Sequence, residues 1–148
     1  MRSVYDNVKI VTAVRPSVVT STGTPVAAAI SACDTQGYNT GMLHVAVGSA
    51  TGTAITYVVS IQVQECATSN GTFTDISGAT GTVTGTTTAA GLACDIRIEG
   101  LGTSRQRYLK VTPLVTPSAA GHDIPVSAEF ILARGFKVPV GNSASVSG

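Results

Sequence analysis

The sequence has no Trp, and only 5% of its 148 residues are aromatic. A carbohydrate-binding face usually presents exposed aromatic rings, so that class of function ranks low. Charged residues make up 11%, against about 25% in ordinary soluble proteins. The net charge is only +1, so the broad positive field of a nucleic-acid-binding domain is missing. The nearest approach is Arg105, Arg107 and Lys110 around Tyr108, which reads as a solvated strand face or an interface contact. There are three cysteines, an odd number, and no Cys-x-x-Cys pair. That argues against a disulfide framework and against structural zinc, and it fits folding in a reducing cytoplasm. One disulfide with a leftover thiol stays open. No apolar run approaches the about 20 residues of a membrane span. Residues 1–30 do not show the charged start, apolar block and cleavage site of a secretion signal.

Thr, Ser and Gly fill the place of the missing charges. Thr favours strands, while Gly and Ser favour turns, so the composition points to β structure. A weakly charged surface repels its neighbours weakly, which suits a protein packed into an assembly. The alternative is an ordinary or secreted β domain with a Thr-rich surface. A length of 148 residues suits a single domain with a core of its own.

The clearest pattern runs from Thr56 to Ser77. Tyr57, Val59, Ile61 and Val63 alternate with Val58, Ser60, Gln62 and Gln64. A period of two with one apolar face predicts a half-buried antiparallel strand. Asn70-Gly71 tolerates positive φ and reverses the chain, and Phe73–Ser77 forms the return strand. Val8–Val14 is the first expected strand, with Val8, Ile10, Thr12 and Val14 on one face. Pro16 then marks an edge position or a bend, beyond which Val18–Thr20 continue. Val26–Ala32 is ambiguous between helix and strand, and strand is the reading taken. Met42–Val47 alternates with Leu43, Val45 and Val47 on one face. Residues 78–91 are low-complexity Thr and Gly, expected to form a long flexible loop with an edge strand near Thr82–Thr88.

Cys94, Ile96 and Ile98 face inward in the next expected strand, opposite Asp95, Arg97 and Glu99. Arg105–Thr112 follows, with Leu109 and Val111 inward. Pro113 and Pro117 bracket a loop running through Gly121. Val126, Ala128, Phe130 and Leu132 are in phase on the last clear strand. The expected organisation is an N-terminal arm at 1–7, a β-sandwich domain at 8–140 and a flexible tail at 141–148. Seven to nine short strands with intervening turns predict an all-β fold, an antiparallel β-sandwich of jelly-roll-like type.

The residues offer no constellation for catalysis, and none for a cofactor or metal. His122 and Asp123 are adjacent in a loop, where side chains rarely face one another, so they read as polar loop residues. No serine lies in a nucleophile-elbow context, and no Gly-rich phosphate loop precedes a helix. Glu65 continues the inward phase of Ile61 and Val63. Unpaired burial of a carboxylate is costly. Glu65 is therefore expected to end the buried row and turn to solvent or an arginine; the functional alternative is a salt bridge between subunits.

Several short motifs carry a resemblance. They are Tyr5-Asp6-Asn7 near the start, Val63-Gln64-Glu65-Cys66, and Thr72-Phe73-Thr74-Asp75-Ile76. Further on come Arg107-Tyr108-Leu109-Lys110-Val111 and a closing Val138-Pro139-Val140. Together they resemble a family of small virion proteins of tailed bacteriophages, of the head decoration (cement) type. The chain departs from that pattern at Cys66, where such proteins often have Ser, in its Thr-Gly stretch and in its Ser-rich tail.

The resemblance implies a non-enzymatic structural protein on the outer surface of an icosahedral shell, made in the bacterial host cytoplasm. Its partners would be the major capsid protein and other copies of itself, as a homotrimer or homodimer. Neither nucleic acid nor membrane would be a partner. The alternative placements are a head–tail connector or a tail component. Candidate oligomer or capsid contacts are Arg2, Tyr5, Asp6, Asn7, Arg105, Arg107 and Lys137.

Overall fold

The computed structural model describes residues 7–20, 22–25, 27–52, 55–88 and 91–134. The expected tail at 141–148, the closing Val138–Val140 motif and all of the arm except Asn7 lie outside them. The described residues form nine strands: β1 (Val8–Val19), β2 (Cys33–Asp34), β3 (Thr40–Val47), β4 (Thr56–Cys66), β5 (Thr74–Thr86), β6 (Leu92–Glu99), β7 (Tyr108–Val111), β8 (Leu114–Pro117) and β9 (Ile124–Ala133). All pairings are antiparallel. One sheet has the order β1-β9-β3-β6 and the other β2-β7-β4-β5, with β8 also on β4. The two sheets enclose one buried apolar cluster, so the chain is a β-sandwich.

Strict alternation built the core where it was legible. Tyr57, Val59, Ile61 and Val63 of β4 are buried, as are Leu43, Val45 and Val47 of β3. Val126, Ala128, Phe130 and Leu132 of β9 are buried too, with Leu109 and Val111 of β7. Ile96 and Ile98 of β6 face the core and Cys94 is half-buried beside it. All three cysteines are free thiols, and burial pushes Cys33 up to about 11. Among the described residues no helix is long and apolar enough to cross a membrane.

Four expectations are corrected. In β1 the expected common face of Val8, Ile10, Thr12 and Val14 is split. The ladder to β9 shifts register between Thr12 and Val14, and again before Ser17. The extra residue turns Val14 into the core beside Ala13, while Val8, Ile10 and Thr12 face outward. Pro16 lies in the bulged half of this edge strand, where a missing N–H is tolerated.

Within 26–32 the described backbone is not a strand. Ala27–Ala29 form a single 3₁₀ turn, with Ile30 N–H donating to the Ala27 carbonyl at 3.1 Å. The loop expected after Pro113 contains β8, which pairs with β4 at Tyr57–Ser60, while β7 pairs with β4 at Val63–Cys66. The two short strands share one flank of β4 and are separated by Thr112-Pro113, because proline cannot donate to the ladder.

The Thr-Gly stretch is no flexible loop over most of its length. β5 runs unbroken from Thr74 to Thr86 along the edge of its sheet. Thr80, Thr82, Thr84 and Thr86 face water, and Ala79, Val83 and Gly85 are buried. Gly78, with φ 79°, sits at the phase change between Ile76 and Ala79.

Candidate functional site

Two of the described candidate contacts, Arg105 and Arg107, lie where β2, β7 and the 100–107 loop meet. Gly100, at φ 77°, turns the chain, and its carbonyl accepts the amides of Thr103, Ser104 and Arg105 at 3.1, 2.9 and 3.1 Å. This turn aims Arg105 back at the end of β4. Its Nη1 donates to Glu65 Oε1 at 3.3 Å, and the Gln106 amide donates to Glu65 Oε2 at 2.9 Å. Glu65 thus ends the buried row and meets an arginine of its own chain, as expected of the structural reading.

Arg107 makes a two-pronged contact with Asp34 of β2, Nε to Oδ1 at 3.0 Å and Nη2 to Oδ2 at 2.7 Å. Its guanidinium also lies 5.1 Å from the Tyr108 ring centre. Thr35 holds the same backbone, its amide and hydroxyl both donating to the Arg107 carbonyl at 3.0 and 2.7 Å. Arg105 and Arg107 line a hollow of about 340 Å³ with Thr35, Gln36, Gly37 and Gly102. Each arginine already has a carboxylate partner, so the hollow is not an anion site. Asn7 is buried at the start of β1, and its carbonyl accepts the Arg134 amide at 2.8 Å. Arg2, Tyr5, Asp6 and Lys137 lie outside the described residues.

The Arg107 hydrogen bonds hold Asp34 well below the usual carboxylate range, from 3.8 down to about 2. Between those values the unfolded chain binds the proton and the folded chain does not. This pair's contribution is therefore fully present above about 3.8 and lost as pH falls toward 2. Asp34 is partly exposed, so the loss is shallow. Urea melts of wild type and Asp34→Asn between pH 2 and 5 should converge at the acid end and separate above it. Parallel curves across that range would remove the assigned role.

The two histidines are both engaged. His122 Nδ1 donates to the Thr51 carbonyl at 2.9 Å, and the Asp123 amide donates to Thr51 Oγ1 at 2.9 Å. The imidazole therefore pins one loop to another instead of meeting the Asp123 carboxylate. His44 Nδ1 donates to Asp95 Oδ1 at 2.6 Å across β3 and β6. Arg97 pairs with Glu99 along β6 at 3.0 Å. Among the described residues no three His, Cys, Asp or Glu gather to hold a metal. The rings of Tyr108 and Phe73 lie under Arg107 and Lys110, so they do not form an open aromatic platform.

No protein-family model matches this chain. No curated protein matches it either. Two solved structures show distant likeness. One is the Clostridium thermocellum endo-1,4-β-D-xylanase 10B CBM22-1–GH10 modules complexed with xylohexaose. It has 13% identity and a TM-score of 0.43 over 90% of this chain, and this chain spans only 27% of it. The other is Desmodium yellow mottle tymovirus, with 10% identity and a TM-score of 0.32 over 90% of this chain and 92% of that one. Likeness at this level carries no functional argument, and what the chain does must be argued from its own surface.

One surface feature escaped the sequence reading. Val8 and Ile10 are exposed on the outer face, Ile10 at 62%. Ile10 is paired with Ile131 of β9, and Ile131 with Met42 of β3. An apolar row therefore runs from the β1 edge inward. The exposed phase of β1 was masked in the sequence by the register shift at Ala13.

Proposed function

We propose that this protein is a structural virion component that decorates the icosahedral capsid of a tailed phage and stabilises it by bridging major capsid subunits. The carrying observation is how the fold arranges the motifs of the resemblance. Val63–Cys66, Thr72–Ile76 and Arg107–Val111 are far apart in sequence. In the sandwich, Gln64 stands beside both Asp75 of β5 and Lys110 of β7, and Glu65 beside Leu109. Three motifs thus form one contiguous piece of sheet, which supports a shared scaffold over chance matches.

The paired charges are consistent with this reading. Arg105, Arg107, Glu65 and Asp34 are used to rigidify the molecule. A rigid sandwich loses little conformational entropy when it docks. Any species that binds only the assembled shell stabilises it by mass action. No turnover is involved. The partners are the major capsid protein and further copies of this chain, on the outside of the shell.

Heads purified with and without the protein test the reading under heat and osmotic shock. Decorated heads are expected to retain their DNA under challenges that burst undecorated ones, with hundreds of copies per particle. Equal survival would defeat the proposal, and a copy number of a few to tens would move the protein to a connector or tail position.

A further inference from the structure

The β4–β5 hairpin ends in a loop, residues 67–73, that the fold holds loosely. Residues 67–72 are all exposed. Among the described residues one backbone hydrogen bond lies within it, from the Gly71 amide to the Thr68 carbonyl. At 3.4 Å it is long against the usual value of about 3.0 Å. At the base of the loop the Thr74 hydroxyl donates to the Glu65 carbonyl, also at 3.4 Å. Asn70 stands at the tip, and its side chain makes no hydrogen bond among the described residues.

Gly71 is a glycine for want of space. Seven described glycines take positive φ, and Gly71 is not among them. A Cβ on it would run into the Thr68 hydroxyl and the Cys66 sulfur. Packing therefore keeps a glycine directly after Asn70, and a glycine leaves its peptide nitrogen unshielded by a side chain. The other described asparagines are placed differently. Asn7 is buried and is followed by the β-branched Val8. Asn39 is followed by Thr40; its amide donates to the Ala133 carbonyl and its carbonyl accepts the Leu101 amide, both at 3.1 Å. Asn142 lies outside the described residues.

We propose that Asn70 is a site of spontaneous modification, deamidation through a succinimide closed by the Gly71 nitrogen. Solvent base takes the Gly71 amide proton, and the nitrogen attacks Asn70 Cγ. The N–Cγ bond forms, the Cγ–Nδ2 bond breaks, and the side-chain nitrogen leaves as ammonia. Water then opens the ring. Attack at Cγ gives aspartate in the original main chain. Attack at the main-chain carbonyl gives isoaspartate, whose main chain runs through Cβ and Cγ. Water is the only co-reactant, and nothing is oxidised or reduced. Either product sets a carboxylate at the hairpin tip, which cancels the net charge of +1. Copies of a chain near zero net charge repel one another least. In the isoaspartyl form the main chain is also one atom longer, beside the Cys66 thiol that Gly71 packs against. The inference does not depend on the proposed function.

The test uses the full chain, held in mildly alkaline buffer and sampled over days. Cleavage after Glu65 and Glu99 releases residues 66–99, which contain Asn70 and no other Asn or Gln. An amide-to-carboxyl mass change in that peptide therefore belongs to Asn70. The change is expected to grow with time, faster at higher pH, with isoaspartate outnumbering aspartate. The intact protein should gain a more acidic form on ion exchange, and Asn70→Ser should lose that form. The native chain should convert within about tenfold of its rate in urea, since a loosely held loop opens at almost no cost. A 66–99 peptide that keeps its amide in the native chain while losing it in urea overturns the proposal. So does a product with aspartate and no isoaspartate, which would not have passed through the ring. An acidic form that persists undiminished in Asn70→Ser overturns it too, and would assign the reaction to another amide.

Discussion

Phe130→Ala is expected to destabilise the protein by about 3–5 kcal/mol, the largest effect of any single side-chain truncation considered. Phe130 is fully buried on β9, one of the two interior strands of its sheet. On the inner face it is flanked by Val11 of β1 on one side and Leu43 of β3 on the other. Truncation removes the transfer free energy of the ring and leaves a cavity. The cavity can close only if both neighbouring strands move, and each is held by its own ladder. A small domain has about 5–15 kcal/mol of total stability, so a loss of this size takes between about a fifth and all of it. Urea denaturation should show a much lower midpoint with an unchanged slope, since the surface exposed on unfolding is nearly the same. A loss under about 1 kcal/mol would mean that β9 is not at the centre of the core.

Legibility followed the pattern of side chains rather than the propensity of residues. β4 and β9 were readable because large apolar residues alternate without interruption, and each such residue is buried. β1 was readable as a strand but not in phase, since its register shift at Ala13 leaves no mark in a Val-rich string. β8 was missed because Pro113 and Pro117 look like loop punctuation. One proline separates β8 from β7, and the other closes it at the flank of β4.

The candidate contacts were legible as residue types but not as partners. Arg105 and Glu65 are 40 positions apart, and Arg107 and Asp34 are 73. Only the fold brings them together. For Glu65, the cost of burying a bare carboxylate on the inward phase foretold a turn to solvent or an arginine, and it meets Arg105.

Gly85→Val is the second large effect, and it bears on why a Thr-Gly sequence makes a strand at all. Val is the better strand former, so propensity alone says the change should stabilise β5. Packing says the reverse. Gly85 is buried on the inner face of β5, directly across from Tyr57 of β4. A Cβ at this position would run into the Tyr57 hydroxyl and ring and into the Leu92 side chain of β6. Tyr57 cannot simply swing aside, because it is buried and its hydroxyl donates to the Gly48 carbonyl at 3.2 Å.

Overpacking of this kind costs about 1–3 kcal/mol. Displacing the hydroxyl adds roughly 0.5–1.5 kcal/mol for the lost hydrogen bond. Together these outweigh the strand preference, whose full scale spans only about 1 kcal/mol. Thr84→Val, one residue away and exposed on the outer face, carries the same preference without the collision and should be neutral or slightly stabilising. Thermal melts of the two variants separate the effects. A strong drop for Gly85→Val beside an unchanged Thr84→Val would assign the glycine to space for Tyr57. If Gly85→Val were as stable as wild type, Tyr57 would have another place to go, and the Thr-Gly stretch would owe its sequence to something other than the aromatic ring it covers.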